Sequence, residues 1–223
     1  MKKKMVLVFF IIIGINVFAQ NNRFFSVGIG GQFLSGFGGG YDHSYDLPSP
    51  YVGKGRDKEK WPYNTGGVYG FFDARFAELN FGFFTGTQHF NIEGENVGGT
   101  WKYTIKDKMT GLNFALLGKY PFTLGKKITI FPLLGIEYMY ILSIEDNYVY
   151  TGPQSLYKSF NQFWFKTGGG VDFSLTDRWF LRMETFYGIR LDTKAEKKRT
   201  ASNGETPKLG HGLTVRAGVG FRL

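Results

Sequence analysis

The sequence ends in a pattern that few folds can accept. From His211 onward, Leu213, Val215, Ala217, Val219, Phe221 and Leu223 alternate strictly with Gly212, Thr214, Arg216, Gly218, Gly220 and Arg222. Side chains of an extended chain point to opposite faces with period two, so this segment reads as a two-faced β-strand running to the final residue. One face is wholly apolar, and the other holds only glycine, threonine and arginine. Such a strand suits a wall between hydrocarbon and a wet, crowded interior.

The other end of the chain points the same way. Lys2, Lys3 and Lys4 precede an apolar run from Met5 to Phe18, with Val17 and Ala19 at small-residue positions before Gln20. This predicts a cleaved secretory signal peptide over 1–19 and a single barrel domain over 20–223. The apolar run falls short of the roughly twenty residues a transmembrane helix needs, and Gly14 and Asn16 interrupt it. No other stretch approaches eighteen consecutive apolar residues, so the rest of the chain is either soluble or a closed barrel. There is no cysteine to carry a lipid anchor, a disulfide, a thiol nucleophile or a thiolate metal site.

Period-two reading predicts an all-β chain with eight strands, near 23–34, 65–77, 78–91, 101–120, 128–142, 161–175, 179–191 and 211–223. The connections alternate in length. Those at 35–64, 92–100, 143–160 and 192–210 are long or medium, whereas the turns at 77–79, 121–127 and 176–179 are short. Short and long connections therefore fall on opposite rims of an antiparallel up-and-down barrel, with both chain ends on the short-turn rim.

Alternation alone does not say which face is outside, and a soluble lipocalin-like barrel would be greasy within. Size decides between them. One phase collects Phe25, Val27 and Ile29, then Leu79, Phe81 and Phe83, then Leu112, Phe114 and Leu116, and continues through Tyr138, Phe165, Phe173, Leu181 and Tyr187. An eight-stranded lumen would not hold them all. The opposite phase is rich in small residues, such as Ser26, Gly28, Gly30, Gly82, Gly86, Gly168 and Gly170, as a narrow interior requires. The chain is 18% aromatic, which suits interfacial girdles. Tyr120, Phe122, Trp179 and Phe221 are expected at the short-turn rim, and Trp61, Tyr63, Phe90, Trp101, Tyr140 and Phe163 at the other.

The signal peptide, eight alternating strands, loop rhythm and terminal strand together resemble the small bacterial outer-membrane barrels typified by the OmpA transmembrane domain, OmpX and OmpW. The likeness covers nearly all of the mature chain. Its matching element is the C-terminal assembly signal, here Leu213, Val215, Ala217, Val219, Phe221 and Leu223. The chain ends on leucine where the families have an aromatic, although Phe221 keeps one in phase. The resemblance implies an integral outer-membrane protein, a monomer, with outer-membrane lipid and the barrel assembly machinery as partners. The residues themselves suggest no cofactor, no metal and no catalysis.

In this register Asp73, Arg75, Glu78, Lys119, Glu137, Lys166, Asp172, Arg182, Glu184, Arg190 and Arg216 face inward, with Glu137 and Arg216 nearest mid-barrel. A lysine or arginine facing lipid at the midplane would cost about 2–4 kcal/mol, whereas an inward charge can pair across the lumen. The set reads either as salt bridges that fill and stiffen the barrel or as a gate that rearranges to pass solutes.

Little else suggests chemistry. His43, His89 and His211 lack metal-ligand spacing. Tyr41, Asp42, His43 and Ser44 bring acid, imidazole and hydroxyl together in the first loop, a weak match to a lipid-modifying enzyme, because adjacent side chains of an extended chain point apart. Gly38 to Gly40 and Gly168 to Gly170 precede no helix that could hold phosphate, and are read as loop flexibility and close strand packing. The formal charge of +9 falls to about +6 without the signal lysines. It is dispersed, the Lys197, Lys198 and Arg199 cluster lies among acids, and no nucleic-acid footprint emerges. The expected role is therefore structural or adhesin-like, through long outward loops that contact an extracellular ligand. Tyr41, Tyr45, Tyr51, Trp61 and Tyr63 give the first loop its aromatic character. An OmpW-like narrow channel is the alternative.

Overall fold

The computed structural model describes residues 25–46, 54–60, 62–96, 99–145, 161–191 and 205–223. The expected signal peptide, Tyr51, Trp61 and the Lys197 to Arg199 cluster lie outside these residues. Among the described residues ten strands form: β1 (Ser26–Asp46), β2 (Lys54–Lys60), β3 (Tyr63–Asp73), β4 (Ala77–Asn96), β5 (Gly99–Lys119), β6 (Phe122–Leu124), β7 (Ile128–Glu145), β8 (Gln162–Ser174), β9 (Trp179–Leu191) and β10 (Glu205–Arg222).

All pairings are antiparallel, and β1, β3, β4, β5, β7, β8, β9 and β10 close into one ring of eight. The terminal strand returns to the first, with Val27 opposite Phe221 and Ile29 opposite Val219. Closure removes the sheet edges, which is the condition for strands to cross hydrocarbon.

The two extra strands do not enlarge the ring. β6 pairs only with β7, at the short-turn rim. β2 lies between β1 and β4 and is in register with β3 along β4: Lys60 faces Asn91, and Tyr63 faces Gln88. β2 and β3 are thus one wall strand interrupted at Trp61 and Pro62, where proline supplies no N–H to the ladder. β1 takes one residue more than this wall strand, since Gly36 faces Tyr63 but Asp42 faces Lys58. The extra residue falls where Gly38, Gly39 and Gly40 adopt φ of 73°, 68° and 112°, a bulge that side chains resist. The expected loop at Gly38 to Gly40 is therefore strand.

The wall also rises higher than the alternation predicts. The connection expected over 92–100 is mostly strand, because β4 and β5 run on until Asn96 faces Gly99. Residues 35–46, 54–60 and 205–210, expected as loop, are likewise paired. Beyond the bilayer both faces of a strand are wet, so nothing selects an apolar phase there and the periodic signal ends.

At the short-turn rim the first turn covers Ala74 to Phe76, with Ala74 N–H donating to Ala77 O at 2.8 Å and Arg75 at φ 59°. It lies about three residues earlier than predicted. The third turn is set by Thr176, whose Oγ1 accepts from the N–H groups of Arg178 and Trp179 at 3.2 and 3.0 Å.

Around the outside, Ile29, Val68, Leu79, Phe81, Phe114, Leu116, Leu134, Ile136, Leu181, Met183 and Val219 are all exposed, and no charged residue interrupts them. Trp179 packs on Phe221 at 5.0 Å and Tyr120 on Phe122 at 5.0 Å at the short-turn rim; Tyr138 packs on Phe163 at 4.6 Å toward the other. In water so large a contiguous apolar surface would drive aggregation, but in hydrocarbon it is the favoured face. Three residues expected in the outer girdle are elsewhere. Tyr63 is buried in the lumen, and Phe90 and Trp101 stand on the inward phase of β4 and β5.

Candidate functional site

Among the described residues, buried charged and polar side chains converge in the lumen, which is filled in layers. Nearest the short-turn rim, Arg182 of β9 anchors an ionic cluster. Its Nε and Nη2 donate to the two carboxylate oxygens of Asp172 at 2.7 and 2.8 Å, while Nη1 donates to Glu78 at 2.5 Å and Nη2 also to Asp73 at 2.7 Å. Lys119 donates to Asp73 and lies 3.8 Å from Glu78, and Glu184 lies 3.9 Å from Arg182. Asn80 donates to Glu78 at 2.9 Å. Five strands, β3, β4, β5, β8 and β9, meet at this one guanidinium cluster.

A second cluster sits higher. Glu137 of β7 accepts from Arg216 at 2.8 Å and from Asn113 at 3.1 Å, and its other oxygen lies 2.5 Å from the Lys166 ammonium. Gln32 joins β1 by donating to Asn113 at 2.8 Å, and Lys166 donates to Thr214 at 2.8 Å. Glu137, Lys166 and Arg216 are fully buried or nearly so.

Aromatic and aliphatic layers separate and cover the charges. Tyr69, Phe71 and Phe180 lie with the lower cluster, where the Arg182 guanidinium stands 4.3 Å from the Phe71 ring centre and 5.2 Å from that of Phe180. Ala115, Leu117, Phe131, Leu133 and Phe186 fill the next level. Above Glu137, Leu34, Tyr63, Phe84, Met109, Met139, Ile141 and Trp164 form the largest apolar layer. Cations placed over ring faces gain from the ring quadrupole, so rings and charges share the lumen rather than compete for it.

These large inward residues were not expected, because the inward phase reads as small. The two facts are one arrangement. Phe71 faces Gly28, Phe180 faces Gly220, Phe131 faces Gly170, Phe84 faces Gly111 and Tyr63 faces Gly36 across paired strands. Each ring lies over the glycine opposite, where a Cβ would come within 2.0 to 2.5 Å of it. The glycines are sockets, and a register is needed to see them.

Of the predicted lumen residues, Asp73, Glu78, Lys119, Glu137, Lys166, Asp172, Arg182, Glu184 and Arg216 meet in the two clusters. Arg190 is buried at the outer mouth, against Gly39 and Gly210. Arg75 is not in the lumen: the earlier turn places it at the rim, its guanidinium 5.4 Å from the Phe76 ring centre. Leu213, Val215, Ala217 and Val219 face outward as an unbroken apolar row, continued by Phe221 at the rim. Tyr41, Asp42, His43 and Ser44 lie on β1, where His43 faces Asp57; their side chains are outside the described residues. Among the described residues no group of three histidines or carboxylates is arranged to hold a metal ion.

A closed ring of eight strands, an uncharged apolar belt, girdles at its margins and a polar, packed interior define a small bacterial outer-membrane β-barrel, integral to that membrane. No protein-family model matches the chain, and no curated protein matches it. In fold it is similar to the outer membrane protein OprG from Pseudomonas aeruginosa, at 13% identity and a TM-score of 0.46, over 92% of this chain and 98% of that one. It is also similar to Ail, the attachment invasion locus protein of Yersinia pestis, at 10% identity and a TM-score of 0.37, over 87% and 99%. The outer membrane protease OmpT from Escherichia coli is similar at 8% identity and a TM-score of 0.37, over 92% and 98%.

Proposed function

We propose that this barrel is a non-conducting scaffold that presents a contact surface outside the cell, in the manner of an adhesin. The observation that carries this reading is the filled lumen, with apolar layers above and below the Glu137 cluster. The second support is the height of the wall. From Lys108 to Gly99, β5 continues for about 20 Å beyond the belt at the usual rise and tilt, so the outward connections stand on a paired platform. A rigid platform lets such connections vary and bind without disturbing the membrane wall. The reading assigns the barrel no catalysis and no cofactor, and its partners are membrane lipid, the assembly machinery and an extracellular ligand.

The channel reading makes Glu137 the gate. Removing it leaves Tyr63, Phe84 and Trp164 above and Phe131, Phe71 and Phe180 below, so Glu137→Ala is expected to leave planar bilayers as silent as the wild type. Discrete conductance steps in either protein would favour the channel. Binding of intact cells to host surface ligands, lost after shaving the outward connections with protease, tests the contact role itself.

A further inference from the structure

The three turns of the short-turn rim carry four cations. Arg75 stands between β3 and β4, Lys126 and Lys127 between β6 and β7, and Arg178 between β8 and β9. Lys126, Lys127 and Arg178 are exposed, and Arg75 is half-buried. Among the described residues none of the four enters an ion pair. The acid of these turns, Asp177, is engaged elsewhere. Asp73 and Glu78 flank the first turn, but both face the lumen, where Lys119 and Arg182 hold them. The positive charge of the turns is thus left for something outside the described chain.

Aromatic rings set the depth of that charge. The Arg75 guanidinium lies 5.4 Å from the centre of the Phe76 ring, and that of Arg178 lies 6.0 Å from the centre of Phe221. Phe76 packs on Tyr120 at 5.8 Å, and Phe221 on Trp179 at 5.0 Å. Such rings settle where hydrocarbon gives way to headgroups, so cations laid against them stand level with lipid phosphates. Leu124 faces Ile128 across the β6 turn, which carries Lys126 and Lys127 just past the same margin. The backbone gives an independent sign. Arg75 has φ of 59°, a left-handed conformation that glycine or asparagine adopts at lower cost, so the position points to a use for its side chain.

We propose that this rim docks the headgroups of anionic glycerophospholipids, of the phosphatidylglycerol kind, in the leaflet that faces the periplasm. Short turns of outer-membrane barrels stand on that side. A cation beside an anionic surface favours it about fivefold, and a guanidinium can engage two phosphate oxygens together. The three turns lie two wall strands apart, so each can seat its own headgroup. The proposal rests on the outer-membrane placement and is independent of what the outward connections bind.

The test uses the full mature barrel in detergent micelles, given phosphatidylglycerol and phosphatidylethanolamine of identical acyl chains, with lipid retention read by native mass spectrometry. Phosphatidylglycerol is expected to be retained at least fivefold better. The rim variant R75Q, K126Q, K127Q and R178Q should bring the two lipids within twofold of each other, whereas K102Q and K108Q, on the outward part of β5, should leave the preference intact. Arg75→Gly should raise the urea midpoint yet lower phosphatidylglycerol retention, a split that a merely structural residue would not show. Equal retention of the two lipids by the wild type, or an unchanged preference in the rim variant, overturns the proposal. So does co-sedimentation with purified cell-wall sacculi that is lost in the rim variant while no headgroup preference is seen, which would give the turns to the cell wall instead. A heat-dependent gel shift, run on every sample, separates two levels of failure. Its absence in the wild type sinks the membrane-barrel placement and the docking rim with it, whereas its presence without headgroup preference sinks the rim alone.

Discussion

Arg182→Met is expected to destabilise the barrel by about 3–5 kcal/mol, the scale for breaking a buried ion pair by removing one partner. The size follows from how many acids depend on one guanidinium. Asp73, Glu78 and Asp172 accept hydrogen bonds from Arg182, and Glu184 lies within ion-pair range of it. Methionine fills much of the volume but leaves those carboxylates with Lys119 as the remaining cation of the cluster. Arg216→Met should cost less, because Glu137 keeps the Lys166 ammonium at 2.5 Å. Urea unfolding in lipid vesicles, followed by tryptophan fluorescence, ranks the two. If Arg182→Met unfolds no earlier than Arg216→Met, the lower cluster does not hold the five strands together. Adding Asp172→Asn to Arg182→Met should recover part of the loss, since it removes the acid left without a cation, whereas Asp73 and Glu78 keep Lys119.

The ionic clusters were largely legible because lumen charges in a membrane barrel have only one face on which they are cheap. Once Leu181 and Met183 are assigned to lipid, Arg182 and Glu184 must point inward, and the same argument places Glu137 between Ile136 and Tyr138. Arg75 escaped this logic because its position depends on a turn, and a three-residue error in a turn moves a residue out of the alternating wall altogether. The eight-strand ring was legible for the same reason as the charges, whereas β2 was not. Its sequence, Lys54 to Lys60, is almost wholly charged, and a strand wet on both faces carries no apolar phase to detect. The filled lumen was hidden at another level. Phe71, Phe84, Phe131 and Phe180 sit one residue from outward apolar neighbours, so in the chain they resemble interruptions of a pattern. They become a core only when register sets each opposite a glycine.

That pairing makes Gly220→Val the sharper probe of how the interior is built. A Cβ at Gly220 would lie 2.1 Å from Cζ of Phe180, and valine adds two further carbons at the same place. The ring has nowhere to go: it packs against Phe71 at 6.1 Å, with the guanidinium of Arg182 at 5.2 Å and that of Arg222 at 4.8 Å from its centre. Valine favours extended backbone more than glycine does, so propensity alone predicts a gain. Overpacking is expected to outweigh it and destabilise the barrel by about 3 kcal/mol, at the upper end of the usual range. Gly31→Val supplies the contrast on the lipid face of β1. There a Cβ meets only Gly67 O at 3.9 Å, so the added carbons enter hydrocarbon and stability should hold or rise. Pairing Gly220→Val with Phe180→Leu opens the socket and should restore part of the loss, measurable as a return of the urea midpoint toward wild type. A Gly220→Val barrel as stable as wild type would mean that the ring is free to leave, and that the lumen of this protein is not the packed core on which the proposed non-conducting role depends.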